Sequence, residues 1–351
     1  MESLAVKYRP KTWDEVSEQA EIVDILTNQI KSNAIKHGYL FTGPAGCGKT
    51  TAARIFANDI NKGKGSPIEM DAASNNSVED VRRLIEDAQT QALDSEYKVF
   101  IVDECHMITT AGWNAFLKTL EEPPALTIFI LCTTNPEKIP QTILSRVERY
   151  NFQKISTQGI YNRLADILRM EYPSTIAPSD VGISVDPNAL EYISKVANGG
   201  MREAITLMDK CLSYKKELTF EGVAKVLGIA DMSTMFQLTI DIQKGNTEDA
   251  IKVIENVFDS GYDLKLFIRH YLDFVLNLNI YAITGDTKLI SIPLSQIPVN
   301  DLKFDRTDFN SLLDFVVNLD YALKYEQNPK VIIVAKLILY IISIHGGLSR
   351  A

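Results

Sequence analysis

The chain has 351 residues, of which 46% are hydrophobic and 23% charged, a balance expected of a soluble globular protein with two or three domains. Its 36 basic and 45 acidic residues give a net charge of −9, which excludes a general basic coat for nucleic acid but not one local basic surface. Its four cysteines, Cys47, Cys105, Cys132 and Cys211, stand at no metal-site spacing, so no zinc is expected and the thiols read as reduced, in an intracellular protein.

The N-terminal residues show no apolar run of signal-peptide length. From residue 21 to 33, Ile22, Leu26 and Ile30 recur at helical spacing. Residues 38–42 (GYLFT) form a short apolar run that predicts a buried strand, and 50–60 predicts a helix. Further strands are predicted at 67–70, 98–102 and 126–132, with helices at 78–93 and 111–121. Strands alternating with helices imply a parallel sheet covered on both faces. After about residue 152 strand signals stop. Helices are predicted at 158–172, 187–197, 249–258, 264–283, 309–325 and 329–344, with a break near residues 228–231. The fold class is therefore an α/β domain over 1–152, a small helical domain over 153–228 and a larger helical domain over 229–351. The most apolar stretch, 331–344, contains Lys336 and is shorter than the ~20 residues that span a bilayer, so it predicts a buried helix and no membrane partner.

The chemistry begins with Gly43-Pro44-Ala45-Gly46-Cys47-Gly48-Lys49-Thr50, a full GxxxxGKT between a predicted strand and a predicted helix. Glycines there let backbone N–H groups face phosphate oxygens, and the helix N-terminus adds favourable potential. Lys49 is expected to reach the β- and γ-phosphates and Thr50 to ligate Mg²⁺, with Thr51 beside it. The run 99–104 (VFIVDE) delivers two carboxylates at a strand end. Asp103 is expected to hold Mg²⁺ and Glu104 to polarise the attacking water. Thr133-Thr134-Asn135 follows the next predicted strand; alone it is a turn signal, but in this order it suits a γ-phosphate sensor. Leu144-Ser145-Arg146 taken alone offers only a surface charge. Gly199-Gly200-Met201-Arg202 opens a helix with an arginine, which is disfavoured there unless an anion is near.

Five motifs in this order resemble one family. The segments 7–16 (KYRPKTWDEV), 39–50 (YLFTGPAGCGKT), 68–82 (IEMDAASNNSVEDVR), 117–124 (LKTLEEPP), 133–146 (TTNPEKIPQTILSR) and 199–210 (GGMREAITLMDK) are similar to the bacterial DnaX (tau/gamma) clamp-loader ATPases and, more distantly, to the small subunits of replication factor C. The resemblance covers about residues 5–228.

It implies an AAA+ nucleotide-binding module, a helical lid and a helical collar that assembles into a ring, expected to be a pentamer with other loader subunits. By motif match Lys49 and Thr50 are the Walker A pair and Asp103 and Glu104 the Walker B pair. Thr134 corresponds to the first sensor and Arg202 to the second. Arg146 corresponds to an arginine acting in trans on the neighbour's ATP, its alternative being a fold-stabilising charge beside Glu148. Tyr8, Arg9 and Pro10 match a segment near the adenine, and Arg82 and Thr110 match regions facing DNA.

The implied function is ATP-driven opening and loading of a sliding clamp on primer–template DNA, with ATP and Mg²⁺ as cofactors, in a bacterial or host cytoplasm. The alternatives are another AAA+ activity on DNA or a structural ring subunit with an inert ATP site. The four-cysteine zinc module usual after the P-loop helix is absent from the sequence, residue 147 is Val147 where the family has cysteine, and no polymerase-binding tail is expected after the collar. That compact form fits a phage or divergent bacterial protein.

Overall fold

Apolar residues at every position of a strand can be buried only if helices cover both faces of its sheet, and the computed structural model has that arrangement. It describes residues 2–173, 182–226, 232–286, 289–290 and 306–345. One unit comprises Met1–Ile183 and Leu190–Asp209, the other Ser184–Ala189 and Lys210–Ala351.

The first unit contains helices α1 (Leu4–Lys7), α2 (Ala20–Lys31), α3 (Lys49–Ile60), α4 (Val78–Ala88), α5 (Thr110–Glu121), α6 (Gln141–Leu144) and α7 (Thr157–Glu171). Its strands are β1 (Gly38–Thr42), β2 (Ile68–Asp71), β3 (Lys98–Asp103), β4 (Thr127–Thr133) and β5 (Glu148–Asn151). They form a parallel sheet in the order β2-β3-β4-β1-β5. Side chains alternate across it. Tyr39, Phe41, Val99, Ile101, Ile128 and Ile130 pack with Leu26 of α2 and Phe56 of α3. Leu40, Phe100, Val102, Phe129 and Leu131 pack with Leu84 of α4 and Phe116 of α5. The period of two along each strand therefore feeds two separate apolar layers.

Helices α8 (Pro187–Val196) and α9 (Met201–Tyr214) contribute to both units. The second unit adds α10 (Phe220–Val226), α11 (Met232–Lys244), α12 (Thr247–Asp259), α13 (Leu264–Thr284), α14 (Arg306–Leu323) and α15 (Pro329–His345). Helix α13 starts at Asp263, whose carboxylate accepts from the Lys265 and Leu266 N–H groups, and stops at Gly285 with φ 66°. Phe267, Tyr271 and Phe274 of α13 are buried, and the Tyr271 hydroxyl lies 3.1 Å from Thr239 Oγ1 of α11.

Three expectations change. Strand β5 was not predicted: its residues Glu148-Arg149-Tyr150-Asn151 look polar because an edge strand buries little, here only Tyr150. Helix α4 stops at Ala88 and not at 93. Lys98 Nζ takes the Asp87 carbonyl at 2.6 Å, and Leu93 is exposed. Helix α15 is not a buried helix: Ile333, Leu337 and Ile341 are buried, while Val331, Leu339, Ile342 and Ile344 face outward. Among the described residues no helix is long and apolar enough to cross a membrane. The expected boundary at 152/153 falls within the first unit, and that at 228/229 lies outside the described residues.

Candidate nucleotide-binding site

In an open parallel sheet, the loops after the strands' carboxyl ends converge and form the crevice in which ligands bind. Here β1 runs into the P-loop, β3 into Asp103-Glu104 and β4 into Thr133-Thr134-Asn135. The loop conformation demands glycine. Gly43 has φ 145°, and a Cβ there would sit 2.4 Å from the Phe152 carbonyl oxygen. Gly46 has φ 73°, and its Cβ would lie 3.0 Å from the Gly200 Cα. Backbone also joins these two segments, since Met201 N donates to the Gly46 carbonyl at 3.0 Å. Gly200 is thus explained by close approach to the P-loop, since its own Cβ would lie 3.4 Å from the Ala45 carbonyl oxygen, whereas Gly199 has φ 91° and its Cβ would meet the Lys154 side chain at 2.7 Å.

Lys49, the first residue of α3, is 6% exposed. Its ammonium donates to the Gly43 carbonyl at 2.8 Å and the Pro44 carbonyl at 2.7 Å, which satisfies a buried charge. Thr50 Oγ1 donates to Asp103 Oδ2 at 2.7 Å. A hydroxyl and a carboxylate oxygen this close are hard oxygen donors suited to Mg²⁺. Asp103 Oδ1 accepts the Glu104 N–H at 3.0 Å, so both its oxygens are oriented. Glu104 adopts φ 46°, a left-handed conformation costly for a residue with a Cβ. Its Oε2 accepts from Thr134 Oγ1 at 3.0 Å and lies 3.2 Å from His106 Nδ1. His106 Nδ1 also lies 3.1 Å from Thr133 Oγ1. Sequence reasoning missed His106. Its only signal was its place two residues beyond Glu104.

One cavity of about 990 Å³ is lined by Pro44 to Thr51, Asp103, Glu104, Arg202 and the N-terminal Tyr8, Arg9 and Pro10. That volume is at the upper end for small-molecule sites. The sequence reading missed Arg163, Lys154 and Asn198, which also line it, because no motif contains them. Cys47 is buried in the P-loop, and burial pushes its thiol pKa above the usual range.

Other expected residues lie apart. Arg146 does not line the cavity. Its guanidinium donates to Ser145 Oγ at 3.0 Å and pairs with Glu121, the last residue of α5. The carboxylate expected beside it, Glu148, instead accepts from Gln29 and from the Tyr150 hydroxyl. Arg82 on α4 and Thr110 at the start of α5 are both exposed. Their helices pack closely, since a Cβ on Gly112 of α5 would lie 3.2 Å from a Val81 methyl of α4.

Two family models match the chain: DNA polymerase III, delta subunit, over residues 18–76 and 66–156, and DNA polymerase III subunits gamma and tau domain III over residues 218–296. The chain is 34% identical over 296 residues to DNA polymerase III subunit tau of Bacillus subtilis, covering 78% of this chain and 51% of that protein. It is 34% identical over 282 residues to DNA polymerase III subunit tau/gamma of Haemophilus influenzae, covering 74% and 40%. The chain thus spans about half, or less, of the length of these curated relatives. A solved RuvB variant from Thermotoga maritima matches with TM-score 0.50 at 18% identity, over 68% of this chain and 81% of that one, a likeness of fold alone.

Proposed function

The chain belongs to the family of bacterial DNA polymerase III tau and gamma subunits, and on that premise we propose that it is an ATP-hydrolysing motor subunit of a sliding-clamp loader. ATP binding would open and load the clamp on primer–template DNA, and hydrolysis would release it. The observation that carries this reading is the convergence of Lys49, Thr50, Asp103, Glu104 and Arg202 on one cavity at the carboxyl end of the sheet.

In that reading the P-loop N–H groups and Lys49 bind the phosphates, and Arg202 adds charge from α9. Thr50 and Asp103 would hold Mg²⁺, which would supply positive charge to offset that of the phosphates. Glu104 accepts a proton from, or polarises, the attacking water, and Thr134 and His106 orient its carboxylate through the contacts above. Arg146 is assigned to a neighbouring subunit's nucleotide and Arg82 and Thr110 to DNA. Residues 1–152, 153–228 and 229–351 serve as nucleotide-binding, lid and collar parts of a ring with other loader subunits.

The test is the ATPase rate with and without a cognate clamp and primer–template DNA. We expect stimulation by both together, and loss of turnover in Lys49→Ala, which removes the phosphate-directed charge. Unchanged hydrolysis in purified Lys49→Ala, or indifference to clamp and DNA, contradicts the proposal.

A further inference from the structure

Tyr8, Arg9 and Pro10 form one wall of the cavity although they lie far in sequence from every phosphate-binding residue. A seven-residue stretch, 4–10, is too short to hold such a wall by its own packing, so its anchors decide its position. Those anchors sit on α7 and α9. Glu171, the last residue of α7, accepts from Lys7 Nζ at 2.5 Å and from the Tyr8 hydroxyl at 2.6 Å through the same oxygen. Arg163 of α7, which itself lines the cavity, donates to the Tyr8 carbonyl at 3.2 Å. Asp209 of α9 accepts the Leu4 N–H at 3.0 Å. Helix α9 also carries Arg202.

We propose that Glu171 is a positioning residue for adenine-nucleotide recognition: its carboxylate fixes Tyr8, and through it the Tyr8-Arg9-Pro10 wall, against the base side of the cavity. The inference rests on the reading of this cavity as a nucleotide site. Of the two donors, Tyr8 matters more. Lys7 is about half exposed, so water and salt screen its pair with Glu171. The Tyr8 hydroxyl is partly buried, and a hydrogen bond from it to a carboxylate is charge-assisted. The Lys7 and Tyr8 donors also hold the Glu171 carboxyl below the usual carboxylate range. Without that acceptor the stretch would have to be ordered when the nucleotide binds, and the ordering would subtract from affinity. The phosphate half of the cavity, built on β1, β3 and α3, makes none of these contacts.

Two probes separate the halves: ATP, and inorganic tripolyphosphate, which has no base. Calorimetric titration of the full chain should show ATP affinity in Glu171→Ala lowered about tenfold, the size of one charge-assisted hydrogen bond, with tripolyphosphate affinity unchanged. Tyr8→Phe should reproduce the loss, and adding it to Glu171→Ala should cost little more, because both remove one bond. Glu171→Gln, which keeps an acceptor oxygen, should recover part of the affinity, and Lys7→Ala should stay near the parent. Lys49→Ala is the control for the site itself and should lose both probes. If Lys49→Ala loses both while Glu171→Ala and Tyr8→Phe bind ATP normally, the positioning role is wrong and the nucleotide site stands. If Glu171→Ala and Tyr8→Phe lose both probes equally, they hold the fold and not the base wall, and the proposal falls. If Lys49→Ala binds both probes normally, the nucleotide reading falls and this inference with it.

Discussion

Gly46 illustrates how a single side chain would act at two levels. Its φ of 73° lies in the left-handed region, where a Cβ costs roughly 1–2 kcal/mol. Gly63 has nearly the same φ, 77°, but nothing within 4 Å of its Cβ position. Alanine at either position should therefore carry a similar backbone cost. Only Gly46→Ala should also push the Gly200-Met201 segment, and Arg202 with it, away from the P-loop. We expect both variants to lose stability in thermal unfolding, Gly46→Ala at least as much as Gly63→Ala, and only Gly46→Ala to lose ATP affinity. Equal affinities in the two would show that the close approach to Gly200 is irrelevant to binding. The P-loop glycines and the Asp103-Glu104 pair were legible in the sequence because their chemistry is local: a turn, a strand end and a helix start in consecutive residues. His106 was not legible, because what makes it relevant is that its ring nitrogen lies 3.2 Å from Glu104 Oε2 and 3.1 Å from Thr133 Oγ1 on another strand end, a placement that only folding brings about.

Among the elements, the three interior strands and the edge strand β2 were readable, and the other edge strand, β5, was not. Strands β1, β3 and β4 are apolar on both faces, so their composition alone marks them. Strand β5 is held by its pairing with β1, and its side chains carry almost no trace of that. Helix α15 shows the reverse error. Its uniform apolar composition reads as full burial, yet Leu337 is 2% exposed and Leu339 67%. Truncating a buried leucine leaves a cavity and typically costs about 2–5 kcal/mol. Truncating an exposed one changes stability by roughly 0.5 kcal/mol or less. Leu337→Ala should therefore lower the protection of α15 amides in native-state hydrogen exchange, and Leu339→Ala should leave it nearly unchanged. Both tryptophans, Trp13 and Trp113, lie in the first unit, so tryptophan fluorescence is the wrong probe for this comparison. Similar protection losses in both variants would mean that the outward face of α15 is covered.

At the scale of the whole molecule, the proposed role of Arg146 predicts a property no single chain can have. An arginine supplied in trans is worth about 10³–10⁵ in rate for phosphoryl transfer. Arg146 lies outside its own chain's cavity and is paired with Glu121, so Arg146→Ala should leave ATP affinity of the isolated subunit near the parent value while assembly-dependent hydrolysis collapses. Mixing Lys49→Ala with Arg146→Ala should restore part of the activity, because some interfaces would join an intact P-loop to an intact Arg146. A mixture that co-assembles and stays inactive would leave Arg146 as a partner of Glu121 and no more.

What the sequence determined by itself was the set of contiguous devices: the GxxxxGKT loop, the carboxylates ending a strand, the alternation of apolar runs with helices, and the order of five motifs. Each depends on backbone preferences and side-chain types within a few residues, and these act the same way wherever the segment ends up. Only the tertiary structure decided which distant residues meet. Glu171 and Tyr8 are 163 positions apart and share a hydrogen bond; Arg146 turned to Glu121 and not to Glu148; one side of α15 was covered and the other was not. Such choices follow from how whole elements pack, and nothing in the residues beside Glu171 specifies the place where the chain's N-terminal stretch will come to rest.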